Sequence, residues 1–371
     1  MFSRLFPKLT LRSRFQLGKA RGDWRLFLIP VFLALLGLLM IYEASSVLAI
    51  EVFNNRLYFF ERQALWFAIS VSAFLLVGRI NHNYFKKFAP FLLVANVILL
   101  ILVLIPGIGI EILGGRRWFD VGVFNFQPSE LMKISLPLYL ASLLSKPVDK
   151  YVVGLVILFI GGLIMLEPDM GTMLIIVGSA CVVYFVSGIP KRTVLGFVGI
   201  GFIAVLALIV ISPYRLTRLT TYLNPQADSL GSSYHLKQVL IALGNGGLFG
   251  QGLGMSKQKY LFIPEVTTDS IFAIIAEEIG LVGVVAVIVT YSYYLCICFS
   301  YLQKQKSSYS GLFGVGLVSS IAIQFFVNVG AISALVPLTG IPLPFISYGG
   351  TALVINFICA AIVYNISKHA A

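Results

Sequence analysis

Long apolar runs separated by short polar breaks follow one another along almost the whole chain. Stretches of roughly 17 to 25 apolar residues match about 30 Å of hydrocarbon when helical. Ten apolar runs are legible, several of them short enough to suggest tilted or re-entrant pieces, near residues 26–42, 64–80, 88–106, 131–145, 152–167, 171–188, 194–212, 270–299, 311–336 and 350–367. The predicted fold is therefore an all-α, polytopic integral membrane protein of about ten transmembrane helices. Between the seventh and eighth runs the pattern breaks down over about residues 212–269, which predicts one long extramembrane loop. Inside that loop Leu236 to Leu243 reads as an apolar helical piece, so the loop is expected to fold onto the membrane surface.

Composition strengthens this reading. The chain is 58% hydrophobic and 11% charged, with a mean hydropathy of +0.94. Soluble domains carry about a quarter charged residues, so too little polar surface is present to coat a water-soluble globule. The net charge of +12 is spread over many short loops rather than gathered on one face, which argues against a nucleic-acid partner. Cys181, Cys296, Cys298 and Cys359 all fall within apolar runs, and none has a His partner at metal-ligand spacing.

The charge distribution also orients the chain. Residues 1–25 form a basic arm with seven Lys or Arg and one acid, suited to lie on anionic lipid. No small-residue cleavage site follows the first apolar run. With the arm inside, the segments holding Arg79, Lys86, Lys87, Lys146, Lys150, Lys191, Arg192, Lys304, Lys306 and Lys368 are also inside. By the positive-inside rule both termini are cytoplasmic and the long loop faces outward. The membrane domain is then residues 26–367.

Four clusters, all on the predicted outer side, interrupt apolar sequence with Pro, Gly and ionisable groups. They are GGRRWFDVGVFNFQPSELMK (residues 114–133), EPDMGT (167–172), the long loop ending at Asp269, and VPLTGIPLPFISYGGT (336–351). Irregular backbone and ionisable groups at membrane depth are tolerated where they are buried in protein or line a wet cavity. Four breaks on one side predict a shared outward cavity.

Within the clusters, each candidate has a chemical and a purely architectural reading. Glu130 and Lys133 are one helical turn apart, in pairing range, with Ser129 a candidate cap. They are either a structural ion pair or part of the cavity. Arg116, Arg117 and Trp118 are an interfacial anchor or a pyrophosphate and sugar contact, because the guanidinium fork fits phosphate oxygens. The run GNGGLFGQGLG lacks both the strand–helix context of a dinucleotide loop and the Gly-Lys-Ser/Thr of a Walker loop, leaving close backbone packing or flexibility. Glu277 and Glu278 lie about two turns inside the helix that starts near Ser270. Glu277 is about 12 Å along the axis from Asp269 and Glu278 faces the opposite side, so neither pairs with Asp269 through this helix, and both read as internal structural partners for other spans. Asp269 stands at the mouth of that helix, as an N-terminal cap or as a reacting carboxylate.

These motifs, taken in order, resemble the SEDS family (shape, elongation, division and sporulation) of bacterial peptidoglycan polymerases, whose members include FtsW, RodA and SpoVE. The matching segments are GGRRWF…FNFQPSELMK, EPDMGT, YRLTRLTTYLNP, GGLFGQGLGMSKQKYLFIPE, TDSIFAIIAEEIGLVG and PLTGIPLPFISYGGT, and the resemblance covers about residues 26–367. It implies a glycosyltransferase that polymerises lipid II into glycan strands on the outer face of the cytoplasmic membrane. Asp269 matches the family's catalytic aspartate, and Glu130 and Lys133 are associated with the same cavity. The leaving group would be a pyrophosphate, so positive charge matters more than a general acid. Arg116, Arg117, Lys133, Arg215, Arg218 and Lys237 are the candidates, and a divalent cation (Mg or Mn) could share that work, although no cofactor is required by the sequence. The resemblance also implies a class B penicillin-binding protein as transpeptidase partner, within the divisome or elongasome.

Many members carry His and Phe flanking the Thr-Asp pair, where this chain has Thr267 and Ser270. DSIFA and KQKYLFIPE lean toward FtsW-like division members over RodA-like elongation members. Two other classes compete: a lipid II flippase, which calls for helices broken near the midplane and inverted repeats, and a non-catalytic division scaffold, in which Asp269 would be replaceable.

Overall fold

The computed structural model describes residues 22–112, 114–122, 124–211, 213–223, 233–259, 266–305 and 308–369. The basic arm up to residue 21 therefore lies outside the described residues. Seven helices come first: α1 (Arg25–Phe53), α2 (Tyr58–Val77), α3 (Asn83–Val103), α4 (Pro128–Leu144), α5 (Lys150–Leu166), α6 (Met170–Val186) and α7 (Lys191–Ile211). The long loop contributes α8 (Pro213–Leu223) and α9 (Ser233–Gly246), so the expected apolar piece is the middle of a longer helix. Then follow α10 (Ile271–Leu302), α11 (Ser308–Ile332) and α12 (Gly350–Ser367). Six of these helices are long and apolar enough to cross a membrane, and α5 and α6 are shorter apolar helices. The chain is a multi-pass membrane protein.

Local sequence explains the helix starts. Pro128 occupies the first turn of α4, where its missing N–H is harmless. The cap position there is Gln127, not Ser129 as expected. Asp149 and Asp169 accept from Tyr151 N and Thr172 N to cap α5 and α6. Between α3 and α4 the chain forms a small antiparallel sheet, β1 (Ile110–Ile112), β2 (Gly115–Asp120) and β3 (Asn125–Phe126), which the apolar pattern does not predict.

The bundle is layered. α11 and α12 are mostly buried, while α2 and α3 expose most of their surface, as lipid-facing helices do. Successive passes bring the start of α1 and the end of α12 to the same end of the bundle. There Trp24 packs on Tyr364 with ring centroids 5.9 Å apart, and Lys368 Nζ donates to Gly78 O at 2.8 Å. The opposite end carries the β-sheet, α8, α9 and the connection between α11 and α12; it is called the site end below.

Candidate functional site

The connection between α11 and α12 joins the four sequence breaks. Asn328, on α11, donates through Nδ2 to Ile341 O at 2.7 Å and to Asp269 O at 2.8 Å. One turn earlier Gln324 donates to Pro342 O at 2.8 Å. Ser347 Oγ accepts from Leu343 N at 2.8 Å and donates to Thr268 O, while Tyr348 N donates to Thr267 O at 2.9 Å. At the start of α12, Thr351 Oγ1 donates to Asn125 O at 3.0 Å, which ties in β3. Gly171 of the EPDMGT turn packs against Ile341, and a methyl group there would sit 3.1 Å from Thr339 O. Breaks far apart in sequence thus meet at one end of the bundle.

Asp269 sits within this convergence, half-buried, one residue before the cap position of α10, which is held by Ser270. Its carbonyl is held by Asn328. Its carboxylate Oδ1 accepts from Ser270 Oγ at 3.3 Å, and that hydroxyl lies 2.7 Å from His235 Nε2 of α9. The other carboxylate oxygen, Oδ2, is on the side of Gly340.

Glu130 and Lys133 form the expected pair. Lys133 Nζ donates to both carboxylate oxygens, at 2.7 and 2.8 Å, and to Gln324 Oε1 at 2.9 Å. Both side chains are buried, with Lys133 1% exposed. The ammonium is directed at Glu130 and Gln324 inside the bundle. Gln324, which accepts from Lys133, is one turn from Asn328, which holds Asp269.

The cationic candidates separate. Arg117 donates from Nε to Glu167 O at 2.9 Å and from a terminal nitrogen to Pro168 O at 2.8 Å, with Asp169 Oδ2 at 3.9 Å. It therefore ties β2 to the α5–α6 turn, satisfying carbonyls at the end of α5. Arg116 pairs with Glu111 across the hairpin at 3.2 Å and remains partly exposed. Trp118 is partly exposed on β2, opposite Ile110. Lys237 is partly exposed on α9. Arg215 and Arg218 lie on α8, but their side chains are outside the described residues.

Glu277 and Glu278 are fully buried and serve the glycine-rich loop rather than other spans. At Gly280 the backbone of α10 is non-helical, with φ 73° and ψ −169°. The loop supplies the partners that this break removes: Gln251 N and Gly252 N donate to Glu277 O and Glu278 O at 2.9 and 3.0 Å, and Leu281 N and Val282 N donate to Gly247 O and Leu248 O at 3.0 and 3.1 Å. A Cβ at Gly280 would lie 2.2 Å from Gly250 N. Close backbone packing is therefore what the glycines provide. The Glu277 carboxylate accepts from Ser256 Oγ, and Glu278 pairs with Lys259 at 3.3 Å, which also reaches Glu43 of α1 at 3.4 Å.

Gln324, Asn328 and His235 are not among the residues that the sequence singles out. Two amides one turn apart on an otherwise apolar helix are the available signal for the first two. His235 has none, because its partner is reached only once α9 folds back on α10. Among the described residues no three His, Cys, Asp or Glu side chains lie close enough to share a metal ion.

Comparison with known proteins matches this arrangement. Residues 23–371 match the FtsW/RodA/SpoVE family, described as cell cycle proteins. The chain is 38% identical to stage V sporulation protein E of Bacillus subtilis (strain 168), covering 95% of this chain and 98% of that one. It is 36% identical to a probable peptidoglycan glycosyltransferase FtsW of Trichlorobacter lovleyi, covering 96% and 95%. Among solved structures, a chain of a peptidoglycan synthase complex superposes with a TM-score of 0.77 at 27% identity, covering 94% of this chain and 98% of that one. The rod shape determining protein RodA of Thermus thermophilus superposes with a TM-score of 0.69 at 28% identity, covering 94% and 97%. With a multi-pass bundle, the converging motifs and full-length relatives in agreement, the chain belongs to the FtsW/RodA/SpoVE family.

Proposed function

We propose that this protein is a peptidoglycan glycosyltransferase that polymerises lipid II into glycan strands at the outer face of the bacterial cytoplasmic membrane, with Asp269 as general base. The observation that carries the reading is the placement of the Asp269 carboxylate where four chain breaks meet, with its main chain held by Asn328. Relatives named as peptidoglycan glycosyltransferases support the reaction class. In the reaction the acceptor hydroxyl gives its proton to Asp269 as its oxygen attacks the anomeric carbon of the donor. The bond from that carbon to the polyprenyl pyrophosphate breaks, and the pyrophosphate leaves with the electron pair. Arg116, Lys237, Arg215 and Arg218 are the cations assigned to that developing charge. Arg117 and the Glu130–Lys133 pair act by positioning.

The outward orientation of the site end is supported by the basic loops at the other end, which hold Arg79, Lys86, Lys87, Lys146 and Lys304. Both termini are then cytoplasmic. A class B penicillin-binding protein is the proposed partner, supported by a structural relative whose complex coordinates polymerization and crosslinking. Relatives named FtsW favour an FtsW-like role over a RodA-like one.

The break at Gly280 is a feature that the transporter reading asks for. Its depth argues the other way. Leu281 to Leu302 alone is long enough to cross about 30 Å of hydrocarbon, so the break sits at the membrane boundary, not the midplane. The test is purified protein with its partner in liposomes carrying labelled lipid II. Glycan strands of many disaccharides support the polymerase; labelled lipid crossing the bilayer with no strand formed contradicts it.

A further inference from the structure

We propose that His235 is a positioning residue for Asp269, acting through the hydroxyl of Ser270. The inference rests on the reading of Asp269 as general base. Ser270 Oγ lies 3.3 Å from Asp269 Oδ1 and 2.7 Å from His235 Nε2. A serine hydroxyl has one proton to give, and an ionised carboxylate only accepts. The Ser270 proton therefore goes to Asp269, and the lone pair of Oγ takes a proton from His235. This direction fixes the imidazole in the tautomer protonated at Nε2. Ser270 is 0% exposed, so solvent does not compete for the hydroxyl, and the two bonds polarise each other in the same sense.

The three side chains link two segments of the molecule. His235 belongs to α9, within the long loop, whereas Asp269 and Ser270 open α10. The α9 face carrying Leu236, Val239 and Ala242 is buried, which keeps the helix, and with it the imidazole, in place. Asp269 is thus oriented from two directions: its carbonyl by Asn328 of α11, and its Oδ1 by a hydrogen-bond chain that begins on α9. Ser270 is also one of the two positions where this chain departs from the motif that it resembles. A phenylalanine there offers no hydroxyl, so the arrangement belongs to chains with a serine at this position and a donor on α9.

The experiment is steady-state polymerisation of lipid II by the full chain with its partner, comparing wild type with Asp269→Asn, His235→Ala, His235→Gln, Ser270→Ala and the His235→Ala/Ser270→Ala double variant. Monodispersity and melting temperature are measured for each. The expected result is a fall in kcat of about tenfold for His235→Ala, with KM changed less than about twofold, because an oriented base matters in the transition state and not in ground-state binding. His235→Gln, which keeps an N–H donor, recovers most of the loss. The double variant is no slower than Ser270→Ala, since both changes cut one chain. An inactive Asp269→Asn together with wild-type kcat in His235→Ala overturns the inference and leaves the polymerase reading intact. A glutamine variant as slow as the alanine one, with unchanged melting, also overturns it. A fully active Asp269→Asn removes the reading on which it rests.

Discussion

Asn328 holds Asp269 by its main chain: Nδ2 donates to Asp269 O at 2.8 Å, and to Ile341 O at 2.7 Å. The bond joins α11 to the residue just before α10, and the same amide secures the connection to α12. Replacing Asn328 with Leu leaves two carbonyls without this donor, at about 1–3 kcal/mol for each one left unsatisfied. The melting temperature falls, and kcat falls at least about tenfold because the carboxylate is no longer placed. Thermal melts and polymerisation kinetics on the same preparation check this; wild-type kcat in a folded Asn328→Leu variant would contradict it.

The buried pair of Glu130 and Lys133 gives a second prediction. Removing one partner strands a charge in the bundle, which costs roughly 3–5 kcal/mol, whereas removing both costs much less. Lys133→Met therefore lowers the melting temperature strongly, and Glu130→Gln/Lys133→Met restores much of it. Turnover in the double variant stays low, because Gln324 loses the donor that holds its carbonyl oxygen. Full recovery of turnover with stability would confine the pair to architecture.

Gly280 provides the third. With φ at 73° and Gly250 N only 2.2 Å from where a Cβ would stand, no room is left for a side chain. Gly280→Ala costs roughly 1–3 kcal/mol in backbone strain alone, and the displaced loop adds to it. Gly244→Ala, on α9 with nothing within 4 Å of a Cβ, is neutral or slightly stabilising. Folded yields in detergent should separate the two clearly.

A fourth prediction concerns pH at the opposite end. His82, in the turn between α2 and α3, is buried, with Nδ1 2.9 Å from Asn365 Oδ1 and Nε2 2.7 Å from Ser310 Oγ. Burial chiefly, and the neighbouring His369, hold its pKa below the ordinary 6.5, against the hydrogen bond that Asn365 Oδ1 accepts from the ring. The unfolded chain takes up this proton near pH 6.5 and the folded chain only at lower pH. Stability is therefore fully present above about 6.5 and declines as pH falls below it, levelling off beneath the folded pKa. Melting curves from about pH 7.5 to about 5.5 should show that slope in the wild type, and a shallower one in His82→Gln.

Apolar run length was enough to place the membrane spans, since a bilayer imposes that length directly. Motif order pointed to Asp269, and three-residue spacing to the Glu130–Lys133 pair. What stayed hidden depends on contacts between distant segments. The β-hairpin is too short for an alternating pattern to register. The roles of Gln324, Asn328 and His235 appear only when α11 and α9 close around residues 267–270. Helical spacing showed that Glu277 and Glu278 do not pair with Asp269, but their loop partners at Ser256 and Lys259 lie on backbone folded back against the Gly280 break.

The most direct test of the central claim is the rate of strand synthesis by Asp269→Asn, with its partner bound and lipid II in excess. A folded, partner-bound variant that forms no strands is the predicted result. Strand synthesis at the wild-type rate would contradict the account.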